Sequence, residues 1–166
     1  MSHARSLYKD YRAAEDQRDE AESRLRQAFA TIAQTAAKGD RSGVLEAAKS
    51  GRTAAADIER LLAEELDAAD GLAELERFAG DGDRLRRGLE KTRQSLRLFA
   101  EELEIANEDP FLASRANADE IGRLAREGTE LAVEGELAIR KADRALALVL
   151  DLEPRIDRVV DEDERG

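Results

Sequence analysis

Residues 85–106 read LRRGLEKTRQSLRLFAEELEIA, with Leu85, Leu89, Thr92, Leu96, Phe99, Leu103 and Ala106 recurring at alternating spacings of four and three. That seven-residue repeat places one side chain per turn on a single stripe of a long α-helix. No proline precedes Pro110, so nothing upstream forbids further helices of the same kind. Leu7, Tyr11, Ala14, Arg18, Ala21, Leu25, Ala28 and Ile32, with Phe29 alongside, make the stripe of a first helix. Val44, Ala48, Gly51, Ala55, Ile58, Leu62, Leu66, Ala69 and Leu72 make that of a second.

Turn signals divide the chain. Lys38-Gly39-Asp40 stops the first helix with glycine as a left-handed cap, and the next helix starts near Asp40–Ser42. Gly80-Asp81-Gly82-Asp83 reads as the strongest break, offering a glycine cap and then an aspartate N-cap. Pro110 ends the third helix. A fourth can start at Asp109-Pro110 or at the capping-box-like Asn117-Ala118-Asp119-Glu120, and matching the helix lengths favours the second start. The expectation is an all-α, antiparallel up-down-up-down four-helix bundle with coiled-coil-like packing, its helices at 2–37, 42–79, 83–107 and 118–153. Residues 1–153 form one domain, 108–117 a connector with room for a helical turn at 110–116, and 154–166 an acidic, frayed tail after Pro154.

Charge supports these hairpins. Folding the second helix on the third brings Glu76 towards Arg86, Asp70 towards Arg93 and Glu65 towards Arg97. Folding the first on the second brings Glu20 and Glu22 towards Arg60, and Arg24 towards Asp57. Exposed pairs contribute about 0–1 kcal/mol each, so they select register more than they stabilise.

Composition removes whole classes of chemistry. The 166 residues include no Cys and a single histidine, His3, which excludes thiolate metal sites, disulfides, Cys nucleophiles and His-based triads. No cofactor is expected. Net charge is −11, which repels nucleic acid and anionic lipid and favours basic partners. No run of about 18 apolar residues could span a bilayer. The first residues, MSHARSLYKDYRAAED, lack the apolar core of a signal peptide, so a cytoplasmic location is the expectation.

Four features are candidates for function. Glu101-x-x-Glu104 and Glu127-x-x-Glu130 resemble the paired carboxylates with which helical nucleotide pyrophosphohydrolases hold Mg²⁺, but Glu101 and Glu104 fall on the solvent side of the stripe. Arg84, Arg86, Arg87, Lys91, Arg93 and Arg97 make a basic start to the third helix, against its dipole. They serve either as a site for an anion, nucleic acid or acidic protein, or as partners of the acidic second half of the second helix, Asp57 to Glu76. The run Ala145-Leu-Ala-Leu-Val-Leu-Asp-Leu152 is apolar nearly all round, so Leu148, Leu150 and Leu152 are candidates for an outward surface. Gly122, Gly128 and Gly135 permit close helix approach.

Together these describe a non-catalytic protein–protein interaction module: an adaptor, a scaffold or a small subunit binding through helix faces. The interaction residues would be Leu148, Leu150, Leu152, Arg86, Arg93 and Arg97. Its partners are proteins, basic ones favoured by net charge, or further copies of itself; direct contact with nucleic acid is not expected. The alternatives are an acidic inhibitor mimicking nucleic acid and, further off, a Mg²⁺-dependent helical hydrolase.

Overall fold

The computed structural model describes residues 2–108 and 118–165, with side chains described at 2–97 and 126–165. It contains four α-helices: α1 (His3–Ala37), α2 (Arg41–Ala73), α3 (Ala79–Glu108) and α4 (Ala118–Arg165). No strand occurs among the described residues. The strong packing pairs are α1–α2, α2–α3, α3–α4 and α4–α1, a closed square in which every neighbour runs antiparallel. The all-α bundle expected from the stripes is what forms.

The stripes are the core. Tyr11, Ala14, Ala21, Leu25, Ile32, Val44, Ala48, Ile58, Leu62, Leu72, Leu85 and Leu89 are buried in one cluster, closed by Ile139, Ala142, Val149, Ile156 and Val160 of α4. Phe99, Leu103 and Ala106 lie outside the described side chains. Ser2 caps the start of α1, accepting from Arg5 N, and at the first corner Gly39 takes a φ of 70°, the left-handed conformation expected of it. Asp40 then caps α2 by accepting from Gly43 N at 2.9 Å.

The second corner differs from expectation. α2 ends at Ala73, not 79, and a single 3-10 turn at Glu76–Phe78 leads into α3 at Ala79. Gly80-Asp81-Gly82-Asp83 is therefore the first turn of α3 and not the break. Phe78 is buried and anchors the corner, while Asp81 turns inward to Arg155 of α4 at 2.9 Å. A Cβ on Gly82 would lie 2.6 Å from Ala73 N, so the glycine serves close helix approach and not chain termination. The shorter α2 shifts the hairpin register. Arg86 meets Asp70, and Arg97 meets Glu59, each six residues earlier in α2 than expected. Arg93 also reaches Glu59. On the α1–α2 side Arg24 pairs with Asp57 as expected, whereas Glu22 turns to Arg18 and Arg60 to Asp57 and Glu64.

The expected frayed tail is likewise corrected, because α4 runs through Pro154 to Arg165. Proline inside a helix removes one hydrogen bond and crowds the preceding turn, at a cost of about 3 kcal/mol. The exposed ring leaves the inner face undisturbed, and Ile156 and Val160 beyond it are fully buried. The acidic end finds partners: Asp161 and Glu164 pair with Arg5, Glu162 and Asp163 with Arg77, and Glu164 accepts from Ser2 N at 2.8 Å. Higher up, Gly128 lies against Ala36 so closely that a Cβ would stand 2.4 Å from the Ala36 methyl. Gly135 is buried, and the surroundings of Gly122 lie outside the described side chains. So do Glu101, Glu104 and the expected connector turn at 110–116.

Candidate interaction surface

Two polar arrangements stand out: one sealed in the bundle and one on its outside. The sealed one begins at Arg18, which occupies an apolar-stripe position on α1 and is 1% exposed. Its guanidinium makes a two-pronged pair with Glu65 of α2, Nε to Oε2 at 2.7 Å and Nη2 to Oε1 at 3.1 Å, while Nη1 donates to Glu22 at 2.9 Å. A turn below, Tyr11 Oη stands 2.9 Å from both Glu15 Oε2 and Glu153 Oε1. A phenol has one proton, so it donates to one carboxyl and accepts from the other, which must then carry a proton of its own. Burial, with the neighbouring Glu153, pushes the Glu15 carboxyl up to about 7. Burial likewise pushes the Glu65 carboxyl upward, against the opposing pull of Arg18. Arg12 completes the group by pairing with both Glu153 and Glu15. Tyr8 stacks on Tyr11 with ring centroids 5.7 Å apart.

This network joins α1, α2 and α4, but no described pocket opens onto it and its polar groups satisfy one another. It clasps the three helices together. Sequence reasoning placed Arg18 on the stripe but missed its partner. The available signal was Arg18 on the first stripe and the spacing of Glu65, three residues after Leu62 and four before Ala69, which puts a carboxylate beside the second stripe.

The expected interaction residues separate in space. Successive helical residues are 100° apart, so Leu148 and Leu150 point to different sides of α4. Both are exposed, at 56% and 54%, but they cannot share one patch. Leu152 packs against the core and is unavailable. Arg86, Arg93 and Arg97 are engaged within the chain: Arg93 and Arg97 each reach Glu59 Oε1 at 2.7 Å, and Arg86 reaches Asp83 at 3.0 Å. Hydrogen bonding from Arg86, together with the charge of Arg87, holds the Asp83 carboxyl below the usual carboxylate range. The basic start of α3 thus serves, at these three positions, to hold α2 and α3 together.

What the sequence reading missed lies further up α4. Val133 and Leu137 are exposed at 53% and 51%, and with Leu148 they fall on the helix's outward stripe. Arg140, Lys141 and Arg144 lie on the same stripe between the two leucines, all exposed. They make no ion pair among the described residues, although Asp143 beside them pairs with Arg26 of α1. The signal was available as apolar residues half a helical turn away from the buried set Ile139, Ala142, Leu146 and Val149.

The fold and surface define an all-α helical bundle with one uncovered apolar–cationic helix face. No protein-family model, curated protein or solved structure matches the chain. Among the described residues no group of three or more acidic or histidine side chains is placed to hold a metal ion, and no helix is long and apolar enough to cross a membrane.

Proposed function

We propose that this chain is a non-catalytic protein–protein interaction module, an adaptor, scaffold or small subunit, and that it binds through the outward face of α4. The observation that supports this reading is the stripe Val133, Leu137 and Leu148, whose side chains remain half exposed. Branched apolar side chains on one helix face, interleaved with long cations, suit the apolar centre and polar rim of a protein interface. The chemistry left in the interior is a satisfied ionic clasp, which holds helices in register.

The test is a pair of surface variants. Leu137→Glu/Leu148→Glu keeps the core intact, so helicity and melting temperature are expected to match the parent. Affinity capture from the native cell, read by mass spectrometry, is expected to enrich one or more proteins with the parent and to lose them with the variant. An unchanged set of captured proteins would overturn the assignment of the α4 face.

A further inference from the structure

Resting on that reading, we infer that the occupant of the α4 face is a second copy of this chain, which docks the groove between its own α1 and α2 onto it. Five exposed cations without an ion-pair partner among the described residues gather on the α3–α4 side: Arg84 and Lys91 of α3, and Arg140, Lys141 and Arg144 of α4. Arg140, Lys141 and Arg144 lie between Leu137 and Leu148 along α4, and Arg84 and Lys91 lie on the adjoining helix. In a chain of net charge −11 this is a local excess of positive charge, the acids of the same stretch, Glu136 and Asp143, lying on the side of α4 that faces Arg26 of α1.

The opposite side of the square carries the complement. Leu7, Asp10, Ala13, Gln17, Asp67 and Ala68 line an open groove of about 410 Å³ between α1 and α2. Its alanines leave space that a leucine side chain fills. Asp10 and Asp67, with Asp16 and Glu20 beside them, are exposed carboxylates that make no ion pair among the described residues, and Lys9 lies at the margin. Leu137 and Leu148 are about 16 Å apart along α4, and the groove runs about 15 Å along α1 from Leu7 to Gln17, so the two leucines would sit at its two ends. Nucleic acid is a poorer occupant, because the face has leucines and no aromatic ring for a base to stack on. An anionic membrane is poorer too, because the rest of the molecule repels it.

The two surfaces lie on opposite sides of one bundle, so the contact is heterologous and does not close: copies add in a row. Sedimentation velocity from 5 to 500 µM is expected to show species growing past a dimer as concentration rises. Two variants split the contact. Arg140→Glu/Lys141→Glu/Arg144→Glu keeps the groove and loses the face, whereas Asp10→Lys/Asp67→Lys keeps the face and loses the groove. Each alone is expected to be monomeric, and a 1:1 mixture to form a heterodimer that grows no further. The groove variant has the smaller net charge, so its loss of assembly cannot come from general repulsion. Circular dichroism checks that both variants fold. A parent that stays monomeric at 500 µM, or one that stops at a symmetric dimer with no heterodimer in the mixture, would overturn the inference. If the parent is monomeric but Leu137→Glu/Leu148→Glu still loses a captured protein, the self-docking fails while the wider interaction reading stands.

Discussion

Arg18 and Glu65 are buried as ions, and this sets how the core responds to change. Desolvation of each ion costs several kcal/mol, and only the partner and the added Glu22 contact offset it. Glu65→Ala strands the guanidinium and is expected to lower unfolding free energy by about 3–5 kcal/mol, whereas Arg18→Met/Glu65→Leu is expected to fall within about 1 kcal/mol of the parent. Urea denaturation of the two variants separates these outcomes. If the double variant is as unstable as the single one, the pair contributes net stability. The Glu15 carboxyl, which burial holds near 7, also sets a pH dependence. Between an unfolded value near 4.5 and that folded value the native state holds protons that the unfolded chain has released. Stability is therefore highest at the acid end of this window and falls as pH rises, by on the order of 2 kcal/mol between pH 5 and 8. Glu15→Gln should flatten the decline. A parent more stable at pH 8 than at pH 5 would refute the shared-proton arrangement.

At the scale of elements, α4 shows how packing overrides a local stop signal. Its 48 residues continue past Pro154 because Ile156 and Val160 find a buried slot and the acidic end meets Arg5 and Arg77. A chain ending at Pro154 is expected to lose about 3–6 kcal/mol, the burial of two large aliphatic side chains. Under the frayed-tail expectation the same truncation would be neutral, so one melting curve distinguishes them. Near the other end of the α1–α4 contact, Gly128 sets the approach to Ala36. Gly128→Val is expected to cost about 1–3 kcal/mol through overpacking, and Ala36→Gly in the same chain should recover part of it. Failure of that recovery would mean that the loss is one of helix propensity alone.

For the whole molecule, the polar clasp ties α1, α2 and α4 into one body, so unfolding is expected to be a single transition. Tyr8 and Tyr11 are the only tyrosines and both lie in the clasp. Tyrosine fluorescence and far-ultraviolet circular dichroism should therefore trace coincident urea curves. Separate midpoints would show that α3 or the far half of α4 melts independently.

Helix number, the buried stripes and the Gly39 corner are determined by the sequence alone. They follow from periodicity and backbone sterics, which act within a few residues. Where α2 stops, the register of Arg86 and Arg97, the continuation past Pro154 and the pairing of Arg18 with Glu65 were decided only by the tertiary structure. Each depends on which side chain of a distant segment fills a slot or neutralises a charge, and local spacing carries no record of that. The uncovered α4 face belongs to the second kind. Leu137 and Leu148 are ordinary helix residues until α1 and α3 have taken the other side.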